Sequence, residues 1–584
     1  MTAVSYEANT IYVAVTFGDL ALVKARNIPQ RKWSKTKKAW ACRPSLANLD
    51  YIKANFPDAK WSKDAKMAFE KADIHRKARD KIRTGEVEFD FSLLDFVPFA
   101  KRPFLHQKKA LLLARDLPAF AYFMDQGTGK TKSIIDDAAH NFRQGKINAL
   151  LVFSPNDVKT NWVAWPHMLE PGEKDAVDDH MPPDIHTTKG VWISTPKGDE
   201  KKAWAWFEDR LNGDTSGQLI VLAVNYDALN VPRFFNFAMD FCRRFDVMIA
   251  CDESTEIKTP GSLRSKAAKK IRKLCKVARI ATGTPVIKRP LDAYSQFEFL
   301  DEDILGYGSF YAFKNQFAVM GGFKNKQVLT YRNLEELQEK IKSCSFRVTK
   351  DECFDLPPKQ FQKIRVEMSK EQTKAYKSMK DEMFAEFKGD VITAPIAITQ
   401  VMRLAQITGG YMTDGDKVME LVKPKSNPKF QAIMRLIEES GDQQMLVWCH
   451  FRQEIAGLVS LLKEQGIPFA EFHGGVTTEQ RLRIRKDFAA GEYKVVVANQ
   501  ACAGRGIDEF KAASLVAYLS NSHDTEDRIQ SEDRTHRFGS QRHKAINYYD
   551  ILIPNTVDVK IIQTLRANKH LSDEIMQDGL RAWI

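Results

Sequence analysis

The sequence predicts an α/β protein with two doubly wound parallel-sheet lobes that carry helical insertions, and a small N-terminal α+β accessory domain. Three observations predict it. Short apolar runs alternate with helical stretches from Ala119 onward and again from Gln444, the pattern of strands joined by crossover helices. Leu356-Pro-Pro-Lys359 interrupts that alternation, because consecutive prolines cannot continue a helix. Residues 1–61 differ in kind, with basic side chains interleaved among Trp33, Trp40 and Trp61.

A chain of 584 residues exceeds one hydrophobic core. We read a basic and aromatic accessory domain over 1–61, a charged helical connector over 62–88, a first lobe over 89–355 and a second over 356–584. With 43% hydrophobic and 28% charged residues the composition is that of a soluble globular protein. No apolar run reaches the length of a membrane span, and the first residues show no basic-then-apolar leader, so a cytoplasmic protein with no membrane partner is expected. The eight cysteines include no Cys-x-x-Cys pair, which argues for reduced core thiols over a structural zinc site. A net charge of +13 favours a polyanionic partner through counterion release.

The accessory domain contains Ile28-Pro-Gln-Arg-Lys-Trp33 and Lys35-Thr-Lys-Lys-Ala-Trp40. Lys32, Trp33 and Trp40 suit nucleic-acid contact, ammonium on phosphate and indole on base. The same residues also fit a small module whose core is built by the two tryptophans while its lysines are merely solvated. Lys66-Met-Ala-Phe-Glu-Lys71 marks the connector as helical.

Ahead of the first lobe's opening strand lies Arg102-Pro-Phe-Leu-His-Gln107. A glutamine amide offers one donor edge and one acceptor, which is what the adenine edge requires. Next comes Met124-Asp-Gln-Gly-Thr-Gly-Lys-Thr131, set between apolar Ala119–Phe123 and helical Ser133–Ala139. This is a P-loop pattern with Met124 in place of its first glycine. Backbone N–H groups over Gln126, Gly127, Thr128 and Gly129 can wrap a phosphate chain, Lys130 can meet the β/γ-phosphates, and the Thr131 hydroxyl can meet Mg²⁺.

Further strands end on polar residues, and strand ends are where such sheets hold ligands. Ala149–Phe153 runs into Ser154-Pro155 and then Asn161-Trp162, and Gln218–Val224 runs into Asn225-Tyr226. Phe245–Cys251 delivers Asp252-Glu253. Asp252 suits the metal, directly or through water, and Glu253 the attacking water. A surface acidic pair is the plainer reading, disfavoured by the apolar run before it. Glu256-Ile-Lys258 superficially suggests a nuclease carboxylate–lysine pair, set aside for the more coherent ATPase reading. In Ile280-Ala-Thr-Gly-Thr-Pro285 the hydroxyls of Thr282 and Thr284 either couple the nucleotide site to a second surface or simply shape a turn.

From Leu291 to Cys353 the pattern reads as mostly helical. The second lobe offers strands at Gln444–Cys449, Lys494–Asn499, Ser514–Leu519 and Ala545–Asp550, and no P-loop of its own. It does contain Gly504-Arg-Gly-Ile-Asp508 and Gln530-Ser-Glu-Asp-Arg-Thr-His-Arg537. Arg534 and Arg537, at helical i, i+3 spacing, would share one face and could neutralise charge on a γ-phosphate; alone, they would read as a solvated pair.

Taken in order from Arg102 to Arg566, these segments resemble the superfamily 2 helicases, most closely the Swi/Snf-like translocases of double-stranded DNA. The resemblance implies two RecA-like lobes, ATP and Mg²⁺ as cofactors, and sequence-independent binding of duplex or forked DNA. It places Gln107 on the Q motif and Met124–Thr131 on motif I. Ser154 with Asn161 falls on motif Ia, Asn225 on motif Ib, Asp252-Glu-Ser-Thr255 on motif II and Thr282-Gly-Thr-Pro285 on motif III. Phe472-His-Gly-Gly475, with Gly474, matches the segment after motif IV. Gly504–Asp508, with Arg505, matches motif V, and Gln530–Arg537 matches motif VI with Arg534 and Arg537 on its arginine fingers. Ser154, Asn161, Asn225, Thr282, Thr284, Gly474 and Arg505 thereby become expected nucleic-acid contacts. Phe346-Arg-Val-Thr-Lys350 followed by Leu356-Pro resembles the Swi/Snf inter-lobe element, and the N-terminal segment is similar to the HepA-related (HARP) domain of annealing helicases. The expected activity is DNA-dependent ATP hydrolysis driving translocation, for remodelling or strand annealing in replication, recombination or repair. A strand-separating or protein-displacing motor, and an ATP-inactive scaffold, stand as alternatives. So compact a translocase suits a bacterial cell or phage-infected host, or a nucleus if eukaryotic, with replication, repair or restriction-system proteins beside it.

Overall fold

The computed structural model describes residues 2–567 except 8–9, 17, 29–30, 45, 96, 157, 170, 284–289, 322–326, 387–393, 415–416, 504–506 and 523. Thr284, Gly504 and Arg505 therefore lie outside the described residues. Contacts divide the chain into two compact units, one of residues up to 125 with 129–348, the other from 349 onward with 126–128.

The first unit begins with a five-stranded sheet built from β1 (Ala3–Glu7), β2 (Thr10–Ala14), β3 (Lys32–Ser34), β4 (Ala39–Cys42) and β5 (Lys60–Trp61), in the order β3-β4-β2-β1-β5. Its pairs are antiparallel except β1 with β5. Val4, Ile11, Val13, Ile28, Ile52 and Phe56 form its core. Trp40 packs partly against that core, whereas Trp33 is 49% exposed and meets Trp40 edge-on at 5.1 Å. The two tryptophans thus divide between the readings their spacing allowed, one inward and one toward solvent. The helix Lys63–Thr84 follows, opened by Ser62 Oγ accepting from Ala65 N–H and closed by Gly85 at φ 80°, where a side chain would be strained. Ala65 and Phe69 join the module's core, and Arg43 pairs with Glu302 of the first lobe.

The first lobe is a seven-stranded, wholly parallel sheet in the order β14-β6-β11-β10-β7-β9-β8. Its strands are β6 (Ala119–Met124), β7 (Ala149–Ser154), β8 (His186–Val191), β9 (Gln218–Asn225), β10 (Val247–Asp252), β11 (Val277–Thr282) and β14 (Ser345–Val348). β6, β7, β10 and β11 are buried at every residue, which is why they read as uninterrupted apolar runs. The expected helical character of 291–353 is only partly right. A hairpin of β12 (Ala318–Gly321) and β13 (Gln327–Tyr331) interrupts it, and 345–348 is the sheet's edge strand, too short and polar to announce itself.

The second unit holds a six-stranded parallel sheet in the order β15-β22-β21-β18-β20-β19. Its strands are β15 (Lys359–Arg365), β18 (Met445–Cys449), β19 (Phe469–Phe472), β20 (Val495–Asn499), β21 (Leu515–Tyr518) and β22 (Ile546–Leu552), with β16 (Tyr411–Asp414) and β17 (Lys417–Glu420) as a separate hairpin. Side chains alternate between two cores, Val447, Val497 and Ala517 on one face and Trp448, Ala498 and Tyr518 on the other. Among the described residues no helix is long and apolar enough to cross a membrane.

Candidate nucleotide site

The strand order of the first lobe rearranges the motifs. β6, β11, β10, β7 and β9 are successive neighbours, so their carboxyl ends place the P-loop, Thr282, Asp252, Ser154 and Asn225 in one row. Thr282 lies one position beyond the pairing partner of Tyr122, opposite Phe123, and Ser154 is paired with Asn225. A row of strand ends is the ligand-binding edge of a parallel sheet.

The P-loop leaves β6 at Met124 and enters the helix Lys130–Arg143. Gly127 and Gly129 take φ of 84° and 87°, conformations in which a side chain would cost roughly 1–2 kcal/mol each. A Cβ on Gly129 would also stand 2.1 Å from Gln107 Nε2. The bare backbone here fits a phosphate chain approaching the helix N-terminus. Lys130 is buried and its Nζ donates to the Met124 carbonyl at 3.1 Å, which folds the ammonium back over the loop. Thr128 is buried, while Gln126, Gly127 and Thr131 are half-buried. Gln107 is placed differently from expectation. Its Oε1 accepts from Phe104 N–H at 2.9 Å, closing the first turn of the helix Leu105–Ala114, while Nε2 faces Gly129. The acceptor that adenine reading calls on is thus also the cap of its own helix.

Asp252 closes β10 and is buried. Trp162 Nε1 donates to its Oδ2 at 2.9 Å, and the Tyr226 hydroxyl donates to its backbone carbonyl at 2.8 Å. Burial, then the neighbouring Glu253 charge, hold the Asp252 carboxyl above the usual carboxylate range; Lys130 and the Trp162 N–H pull the other way. Glu253 adopts φ 53°, ψ 61°, a left-handed conformation rare outside glycine, at the turn where β10 ends. Thr282 Oγ1 donates to Glu253 Oε2 at 3.3 Å. Asp252 and Thr131 offer one carboxylate and one hydroxyl, hard oxygen donors of the kind that would suit Mg²⁺. Glu256 pairs with Arg264, so it is engaged outside the nucleotide edge.

The expected nucleic-acid contacts among the described residues differ in exposure. Ser154, Asn225 and Thr282 are buried, and among the described residues Ser154 Oγ and Asn225 Oδ1 meet no hydrogen-bond partner. All three lie at the carboxyl ends of their strands. Asn161 is half-buried, and Gly474, Lys32 and Trp33 are exposed.

In the second lobe the helix Thr525–Glu532 ends before the two arginines, so the expected shared helical face is replaced by consecutive turns. The pair converges all the same. Arg534 Nη1 and Arg537 Nη1 both donate to the Ile507 carbonyl, at 3.4 and 2.7 Å, and Arg537 Nε lies 2.9 Å from Asp508. Gln530 is buried. Nearby, Arg528 stacks 3.4 Å over the Tyr518 ring and binds Asp550, a buried structural pair. Trp162, Tyr226 and Lys350 stand within quoted motifs, but the sequence gives none of them its partner; the first two directly follow Asn161 and Asn225 beyond strand ends.

Two parallel-sheet RecA-like lobes, the first carrying a P-loop and a strand-terminal Asp-Glu pair, define the architecture of helicase-type motor ATPases. Comparison narrows the class. Residues 221–409 match the family model of the SNF2-related domain and residues 428–539 that of the helicase conserved C-terminal domain, which supports the Swi/Snf branch of superfamily 2. The N-terminal module and the P-loop lie outside both matched segments. The chain is 29% identical over 331 residues to the uncharacterized ATP-dependent helicase MG018 of Mycoplasma genitalium, covering 55% of this chain and 30% of that protein. It is 24% identical over 326 residues to the DNA annealing helicase and endonuclease ZRANB3 of Bos taurus, covering 54% of this chain and 28% of that protein. The Sulfolobus solfataricus SWI2/SNF2 ATPase core in complex with dsDNA aligns at 21% identity and a TM-score of 0.35 over 82% of this chain and 94% of that one. The chain spans about a third of the length of the first curated relatives it matches.

Proposed function

We propose that this chain is a DNA-dependent ATPase that uses ATP hydrolysis to translocate along duplex or forked DNA without sequence preference. One observation carries the reading: a single sheet edge aligns the Lys130 ammonium, the Thr282–Glu253 hydrogen bond and the Trp162-anchored Asp252 carboxylate. Backbone amides of Gln126–Gly129 and the Lys130 ammonium bind and orient the phosphates. Thr131 and Asp252 would hold Mg²⁺, which would supply charge neutralisation at the phosphates. Glu253, oriented by Thr282, takes the proton of the attacking water, and Arg534 and Arg537 supply positive charge for the γ-phosphate. The net charge of +13 supports a polyanionic track. The basic hairpin around Lys32 and Trp33 supports an accessory DNA contact of the HARP type, and the domain boundaries at 61, 88 and 355 belong to the same reading.

The test is steady-state ATP hydrolysis with no DNA, single strands, linear duplex and forked duplex, with Lys130→Ala as the blank. Stimulation by duplex or fork, lost in Lys130→Ala and Glu253→Gln while both still bind DNA, is expected. Stimulation mainly by single strands would instead identify a strand-separating motor, and no hydrolysis under any condition would refute the ATPase.

A further inference from the structure

The chain leaves the first sheet at Val348, whose carbonyl accepts from Asp125 N–H at 3.1 Å, and only Thr349 separates that residue from Lys350. Lys350 is 6% exposed. A buried ammonium needs acceptors on all sides. Its Nζ donates to the Asp533 carboxylate and, at 3.1 Å, to the His536 carbonyl. These are the two ends of the tetrapeptide Asp533-Arg534-Thr535-His536, which lies beyond the last turn of the helix Thr525–Glu532 and leads straight into Arg537. The same stretch is fastened twice more to the segment that follows Lys350. His536 Nε2 donates to the Pro357 carbonyl at 2.9 Å, and Lys359 pairs with Glu532 at 3.0 Å. The backbone bonds at the middle of the turn are long, Arg534 N–H and Thr535 N–H reaching their acceptors at 3.3 Å, so side-chain clamps such as these and the Thr535–Tyr548 hydroxyl contact at 3.0 Å add to what holds it.

We infer that Lys350 is a positioning residue for hydrolysis: by spanning Asp533 and His536 it sets the turn that aims Arg534 and Arg537. The inference rests on the proposed ATPase role of those arginines. Lys350 acts through the backbone that carries both guanidinium groups. A ring-like clamp at both ends of a four-residue turn fixes direction, and misplacement of a charge-stabilising group by about 1 Å can cost on the order of 100-fold in rate. The bound state of ATP depends on the P-loop instead, so the effect falls on turnover.

The experiment measures kcat and KM for ATP at saturating duplex DNA for the full chain and Lys350→Met, Lys350→Arg, Arg537→Ala and the double variant Lys350→Met/Arg537→Ala. Lys350→Met is expected to lose roughly 10- to 100-fold in kcat with KM for ATP and DNA affinity unchanged. Lys350→Arg, which keeps a charged donor, restores most of the rate. The double variant is expected to be no slower than Arg537→Ala alone, because both changes remove one function. Should Lys350→Met not accumulate as folded protein, Asp533→Asn, equal in size and uncharged, carries the same comparison. A folded Lys350→Met with wild-type kcat beside a crippled Arg537→Ala would overturn the inference alone, as would additive losses in the double variant. A fully active Arg537→Ala would remove the arginine reading and this inference together.

Discussion

Replacing Trp162 by Phe isolates one hydrogen bond at the proposed metal site. Trp162 is fully buried and its indole N–H meets Asp252 Oδ2 at 2.9 Å. A neutral donor on a buried carboxylate is worth about 1.5–3 kcal/mol, and the phenyl ring supplies no replacement. That energy favours the charged, correctly rotated carboxylate, the form Mg²⁺ requires. Its loss corresponds to a factor of roughly 10–100 in affinity, the range seen when partners of metal-binding carboxylates are removed. The assay is ATP hydrolysis titrated with Mg²⁺ at fixed ATP and duplex DNA. Half-saturation is expected to move upward by that factor while the rate at saturating Mg²⁺ recovers most of its value. The smaller ring also leaves space in the core, so a lower melting temperature is expected alongside. An unchanged Mg²⁺ half-saturation in folded Trp162→Phe would refute the assignment of Asp252 as the metal carboxylate held by Trp162.

Other expectations follow from single features. Gly129→Ala forces a side chain into φ 87° and against Gln107 Nε2, so nucleotide affinity should drop by about tenfold or more, with Gln107→Ala relieving the clash but not the backbone strain; equilibrium binding of a labelled nucleotide measures both. Arg279 and Asp137, both fully buried and 2.5 Å apart, also engage the Tyr122 hydroxyl, so Arg279→Leu should destabilise the first lobe by about 3–5 kcal/mol and a paired Asp137→Leu should recover part of it in chemical denaturation. Glu454 is fully buried, and burial, opposed by Lys429 and the Ser520 hydroxyl, pushes its carboxyl up to about 7. A carboxyl raised above its unfolded value contributes stability in acid that fades as pH rises through 7, by at most about 3 kcal/mol. Melting curves between pH 5 and 8 should show that component in the wild type and lose it in Glu454→Gln.

How far the fold was legible depends on where a strand sits in its sheet. The interior strands β6, β7, β10 and β11, with β18, β20 and β21, are buried on both faces and carry runs such as Ala149–Phe153 that nothing else in the chain imitates. The strands that escaped notice are β8, β14, β15 and β19, and these are the four outer strands of the two lobe sheets. Half-solvated edges are short or charged, as in Lys-Gln-Phe-Gln-Lys-Ile-Arg of β15, which lacks both an apolar run and a clean alternation. The site divides on similar lines. Lys130, Asp252 and Glu253 stand out in the sequence because glycines and an apolar strand frame them. Trp162 and Lys350 stand within quoted motifs, but their partners Asp252 and Asp533 do not show in the sequence, because a residue that holds another reveals its partner only once the fold brings the two near.

The position of β6 has a consequence for synthesis. The strand that bears the P-loop is completed on one side by β11 and on the other by β14, both made much later in the chain. At about 5–20 residues per second, a ribosome would leave β6 with open edges for on the order of tens of seconds. An apolar strand of Ala-Phe-Ala-Tyr-Phe-Met with nothing to pair is a target for chaperones and for aggregation. The nucleotide-binding edge is therefore among the first features to be translated and among the last to be assembled.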